Sequence, residues 1–333
     1  MTIIPNTAPT RRPIDVIVVS PGDLTTGGPE ALHQLVDSIN RQGGSAAVLY
    51  WAPGDDWQVP ELYAHYNVPV ATMDEVRSAR YVVLAEIHTH LRSKFKGPSV
   101  GIWWLSVDNF FERLPRARTP LGWRLLRPPG LGMHRYLARR RPKWYVGGAD
   151  FHLTQSHYAS KFLEASGMNS TFIGDYMNEF PKDDHHTKLG TVVTNGGRGH
   201  ELRQRFEEVN PHVPVTPLIG LSKAEVARAM SEATVYIDFG HQPGRDRMPR
   251  ESAIRDCVIF THRAGAGAND IDMAIPAHYR FESNDDELRR IGNLVSEVLQ
   301  DPEPALAAQL SYRQQILGER DAFDAAVADF FKL

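Results

Sequence analysis

The densest chemistry in the chain lies at His241-Gln242-Pro243-Gly244-Arg245-Asp246-Arg247-Met248-Pro249-Arg250-Glu251. An apolar run, Val235–Phe239, leads into this stretch, and a second, Cys257–Phe260, follows it. A glycine- and arginine-rich loop at the end of a strand, feeding a helix start at Pro249, suits an anion, because free backbone N–H groups and the helix dipole both point at it. Arg245 and Arg247 would neutralise phosphate with planar, bidentate donors, Asp246 would orient one of them, and Glu251 would accept ribose hydroxyls. Gly244 and His241 complete the loop as donor-side candidates. The preceding unit repeats the theme: Asn195-Gly196-Gly197-Arg198-Gly199 separates a strand from a helix, with Asn195, Arg198 and Gly199 placed to meet a diphosphate. A nucleotide or nucleotide sugar gripped in a cationic pocket is the expectation. Salt bridges of purely structural purpose would use the same residue types.

Three acidic residues qualify as a general base. Glu30 follows Gly27-Gly28-Pro29 at the start of a helix, where adjacent glycines let backbone approach a ligand or simply form a turn. Asp108 stands just past an apolar strand ending in Trp103-Trp104. Glu86 opens Glu86-Ile87-His88-Thr89-His90, whose alternate positions share a face if the segment is extended. A zinc site there is the weaker reading, since 14 histidines bring pairs together by chance, and no metal or other cofactor is expected. The lone cysteine, Cys257, reads as a small buried hydrophobe.

Several function classes are excluded by bulk properties. With 42% apolar and 23% charged residues, the 333-residue chain has the composition of a folded soluble protein. No apolar run approaches the roughly 18 residues of a membrane span, and the N-terminus lacks a secretory pattern, so a cytoplasmic place is expected. Net charge is −3, yet Arg113 to Lys143 holds ten basic residues and no acidic one, interleaved with Leu, Trp, Met and Tyr. That mixture suits an anionic membrane surface, where each basic residue contributes about 1 kcal/mol, and it predicts peripheral attachment to the inner face of the membrane. Nucleic acid is not expected, because no nucleic-acid module surrounds the segment.

These residues need strands and helices to hold them. Apolar runs at Asp15–Pro21 and Ala46–Pro53 flank a helix-periodic stretch, a βαβ unit. Further strands are predicted at Val68–Ala71, Tyr81–Glu86, Val100–Trp104 and Phe151–Gln155, with a helix over His157–Ser166. The pattern restarts near residue 189, and Ser222 with Glu225 has the spacing of a capping box. Asp175–Lys188 has a linker's polar, proline-bearing composition. Two helical stretches, 285–299 and 304–331, close the chain. Two Rossmann-like, doubly wound α/β domains facing a cleft follow from this order. The first covers 1–180 and carries the basic insertion 113–143; the second covers 181–333.

SPGDLTTGGPEALHQLVDSINRQGGSAAVLYW resembles the GG-x-E loop, helix and strand that open many bacterial GT-B glycosyltransferases of surface-polysaccharide (capsule or O-antigen) synthesis. NGGRG, LSKAEVARAMSEATVYIDFG and HQPGRDRMPRESAI resemble the donor-binding half of the same family. The resemblance implies metal-independent transfer of a sugar from a nucleotide-sugar donor to a hydroxyl acceptor such as a lipid-linked glycan. By position it makes Arg198 the residue for the diphosphate and Glu251 the residue for the ribose. Many retaining members carry a second glutamate eight residues before the ribose glutamate; Pro243 stands there instead, which leaves retention or inversion open. A nucleotide-sugar hydrolase or epimerase, and a non-catalytic nucleotide- or glycan-binding subunit, are the alternative readings.

Overall fold

Runs of branched apolar residues bounded by glycine and polar turns form two sheets in a computed structural model, which describes residues 12–22, 24–51, 58–112, 143, 146, 148–178 and 187–333. The first sheet contains β1 (Val16–Ser20), β2 (Ala46–Tyr50), β3 (Tyr81–Ala85), β4 (Ser99–Trp104), β5 (Phe151–Thr154) and β6 (Thr171–Phe172), in the order β2-β1-β3-β4-β5-β6. β1 is parallel to both neighbours, with Val18 opposite Val48 on one side and Val83 on the other. All five β1 residues are buried, as continuous apolar strands of parallel sheets must be when both faces are covered. Helix α1 (Gly27–Arg41) links β1 to β2, α2 (Val107–Glu112) follows β4, and α3 (His157–Ala165) follows β5. The expected strand at Val68–Ala71 makes a single bridge, Val70 to Val48, since Pro69 has no N–H to offer a ladder.

The second sheet contains β7 (Val192–Asn195), β8 (Val215–Leu218), β9 (Val235–Asp238), β10 (Val258–His262) and β11 (Arg280–Phe281), in the order β11-β10-β9-β7-β8. Helices α4 (His200–Val209), α5 (Lys223–Glu232), α6 (Arg247–Ala253) and α7 (Asp285–Gln300) accompany it. The capping box on α5 forms as the spacing predicts, Ser222 taking the Glu225 N–H and Glu225 the Ser222 N–H. β7 sends the chain to β8 on one side, while β9 sends it to β10 on the other. The chain thus leaves these adjacent strands in opposite directions, which makes the carboxyl ends of β7 and β9 the topological switch point of the sheet. β1 and β3 bear the same relation in the first sheet.

Where one helical stretch is expected over 304–331, the chain breaks into α8 (Glu303–Ala308), α9 (Leu310–Leu317) and α10 (Glu319–Phe331). The cause of the first break is Gln309. Its buried amide oxygen accepts the Ile259 N–H at 2.9 Å, and its Nε2 donates to the Ile259 carbonyl at 2.9 Å. β11 pairs only with Thr261 and His262, so Gln309 serves the strand where no neighbouring strand does.

The chain divides into two compact units. The described residues of one fall within Met1–Trp103, Phe110–Leu153 and Asp324–Leu333; the other takes Trp104–Asn109 and Thr154–Phe323. Asp175–Lys188 is not a loose linker at its described ends. Asp175 and Tyr176 are buried, and Lys188 Nζ donates to the Ala233 and Arg255 carbonyls at 2.6 Å. Polar residues that end in buried ion pairs have the same composition as polar residues in water, which is why sequence misjudges them. Residues 179–186 and, apart from Lys143, the basic stretch 113–143 lie outside the described residues. No helix among the described residues is long and apolar enough to cross a membrane.

Candidate functional site

The second sheet's switch point gathers the polar residues singled out above. In the loop after β7, Asn195 Oδ1 accepts the Gly197 N–H at 2.8 Å and closes the turn. Gly199 has φ +72°, and a Cβ there would lie 2.5 Å from the Phe239 carbonyl carbon, so only glycine lets this loop touch the one after β9. Arg198 bridges the two loops, donating Nη1 to the His241 carbonyl at 3.2 Å and Nη2 to the Asp246 carboxylate. Although burial works against it, Asp246 and Asp238 hold Arg198 in its charged form.

Asp238 ends β9 fully buried, its carboxylate accepting the Gly240 N–H at 2.8 Å and the Gln242 amide at 3.3 Å. Burial, reinforced by the nearby charge of Asp246, pushes its pKa to about 7. Burial also raises Asp246, with Arg198 opposing it.

Asp108 enters this group on the segment 104–109. The Val107 N–H donates to the Pro243 carbonyl at 3.1 Å, and a Cβ on Gly244 would lie 2.3 Å from the Leu105 carbonyl oxygen. Gly244 is thus a packing residue that brings the loop against 104–109. His241 Nε2 lies 2.7 Å from Asp108 Oδ2, and the Tyr158 hydroxyl donates to the same oxygen at 3.4 Å. The hydrogen bond to Asp108 raises the His241 pKa despite partial burial. Because Nε2 is committed to Asp108, Nδ1 is the nitrogen left for chemistry, on a side chain 49% exposed. An aspartate fixing one nitrogen of an accessible histidine is an arrangement for moving protons.

The expected cationic pocket is charge-balanced instead. Arg245 is buried against Glu319, and Arg250 pairs with Glu319 at 2.8 Å and Asp175 at 2.7 Å. Arg247 Nε faces Glu251 Oε1 at 3.5 Å on the next turn of α6. A buried guanidinium needs a counterion to offset its lost hydration, so burial supplied the acids that composition alone left unassigned. Arg245 therefore belongs to a structural cluster, whereas Arg198 and Arg247, each about one-fifth to one-third exposed, keep a face toward solvent.

In the first unit, Gly27 and Gly28 form the first turn of α1. Glu30 is buried, accepting the Tyr66 hydroxyl at 3.1 Å. Glu86 is buried at the carboxyl end of β3. The alternation that would place Glu86, His88 and His90 on one face fails, because Glu86–Lys94 winds as 3-10 helix. Among the described residues, no group of three His, Cys, Asp or Glu could hold a metal. Sequence reasoning missed Asp238, Asp175, Glu319, Tyr158 and Asp272. Of these only Asp238, an acid closing the apolar run Val235–Phe239, carried a local signal.

Neither a protein-family model nor a curated protein matches the chain. Solved structures do. A sucrose-phosphate synthase from Thermosynechococcus elongatus is similar at TM-score 0.63 and 11% identity, covering 96% of this chain and 98% of that one. The catalytic domain of starch synthase IV from Arabidopsis thaliana, bound to ADP and acarbose, is similar at TM-score 0.52 and 10% identity over 94% and 99%. T4 phage BGT in complex with UDP and Mn2+ follows at 0.51 and 13% over 94% and 99%. The chain has the GT-B fold. Its two parallel-sheet α/β domains correspond over nearly their whole length to those of glycosyltransferases.

Proposed function

We propose that the protein is a glycosyltransferase that moves a sugar from a nucleotide-sugar donor to a hydroxyl acceptor. The observation that carries this reading is the Asp108–His241 pair beside Arg198 and Asp246 at the switch point of the second sheet. UDP and ADP in the similar structures favour a nucleoside diphosphate as the donor's leaving part. Arg198 and Arg247 would meet its diphosphate, with Glu251 exchanging Arg247 for ribose hydroxyls. Of the three candidate bases, Asp108 is the orienting partner in this reading and His241 takes the acceptor's proton at Nδ1. Neutral His241 keeps Nε2–H on Asp108, so the nitrogen lone pair is presented outward. Leaving-group charge is stabilised by fixed guanidinium groups, and the absence of a metal requirement follows in this reading.

The acceptor we favour is a surface glycan on a lipid carrier, met at an anionic membrane from the cytoplasmic side, with the basic stretch 113–143 as the attachment. Incubation with a panel of nucleotide sugars, with and without a hydroxyl acceptor, tests the reaction class. Nucleotide release should require the acceptor and should fall about 100- to 10,000-fold in His241→Ala. Equal release without any acceptor would make the protein a hydrolase.

A further inference from the structure

Helix α3 starts with more caps than a helix of its length needs. Ser156 already accepts the Ala159 N–H at 3.1 Å. Asp272, far along the chain and 1% exposed, adds a carboxylate whose two oxygens take the His157 N–H at 2.8 Å and the Tyr158 N–H at 2.7 Å. Asp272 is itself held, since Asn269 Oδ1 accepts the N–H groups of Ile271 at 2.9 Å and Asp272 at 3.2 Å. A buried carboxylate is costly unless its hydrogen bonds are complete, and these are spent on fixing one helical turn. That turn carries Tyr158, whose hydroxyl reaches the same Asp108 oxygen as His241.

We propose that Tyr158 and Asp272 are positioning residues for the Asp108–His241 pair, a role that rests on the glycosyl-transfer reading. Tyr158 shares Asp108 Oδ2 with His241 and so limits how strongly the carboxylate holds the imidazolium. Asp272 acts one step further back, by anchoring the turn from which Tyr158 projects. Other charged groups near His241 are Arg198 and Asp246, and His262 also lies within electrostatic reach.

NMR titration of the His241 ring tests this without any turnover. In Asp108→Asn the ring's pKa should fall by about one unit, since a charge-assisted hydrogen bond is lost. In Tyr158→Phe it should rise, by roughly 0.3 unit given the long 3.4 Å contact, because the carboxylate no longer divides its hydrogen bonding. Opposite signs are the signature of a shared acceptor. Kinetically, Tyr158→Phe should lower kcat several-fold with little change in donor KM and move the acid limb of the pH profile upward. Asp272→Asn should speed amide exchange at His157 and Tyr158 and reproduce the Tyr158→Phe shift. An unchanged or lowered His241 titration in a folded Tyr158→Phe protein overturns the proposal. Intact titration shifts in a protein without transferase activity would sink the glycosyl-transfer reading and leave the geometry standing.

Discussion

Asp238 illustrates how one residue's ionisation records its surroundings. It closes a buried parallel strand, and water is replaced around its carboxylate by one backbone N–H and one amide. Its folded pKa of about 7 lies above the usual 3.8, so the folded state binds its proton more tightly than the unfolded state does. The associated stability is fully present below pH 3.8 and is lost progressively as the pH rises to about 7. Asp238→Asn, which never ionises, should therefore gain on the wild type between pH 4 and pH 7 and hold a constant difference above that. Denaturant titrations at pH 4.5, 6 and 8 measure it, and parallel curves would mean that Asp238 is ionised throughout. At this scale the sequence was partly legible. An acid after VYI is visible, as are Arg198 and His241. Their partners Asp246 and Asp108 were also in view, but the pairing depends on contacts 48 and 133 residues apart.

Among the elements, Gln309 shows why helix periodicity overreached. Apolar spacing continues from 304 to 331, yet a helical turn is given up so that one side-chain amide can serve the Ile259 backbone. Gln309→Ala would leave a buried N–H and carbonyl unpaired, each costing about 1–3 kcal/mol. A loss of roughly 2–6 kcal/mol in urea unfolding is expected, and a change under about 0.5 kcal/mol would show that solvent or a shifted neighbour meets those groups. Elements specified locally were read correctly: β1, β3, β9 and the Ser222–Glu225 cap each depend on residues within one short stretch. Features set by distant partners were not, including the ion-paired start of the supposed linker at Asp175.

For the molecule as a whole, strand order decides where chemistry can sit. Both sheets place their second strand outside the first and their third on the other side, so each has one switch point at its carboxyl edge. The alternation of strands and helices made this fold legible, because parallel strands require crossovers. What the pattern withheld was the charge balance, since the four arginines near the switch point, Arg245 and Arg250 buried and Arg198 and Arg247 partly so, are paired with carboxylates from Asp175, Asp246, Glu251 and Glu319. On the proposed reading the nucleotide binds at the carboxyl ends of β7 and β9, beside Arg198, and not at the buried arginine cluster. The most direct measurement begins with whichever of UDP, GDP, ADP, CMP and dTDP raises the melting temperature most. Its affinity is then determined calorimetrically for the wild type and for Arg198→Ala. Loss of a charge-assisted contact should weaken binding about ten- to a hundred-fold in a protein that remains folded. Wild-type affinity in folded Arg198→Ala would contradict a nucleotide site at that switch point.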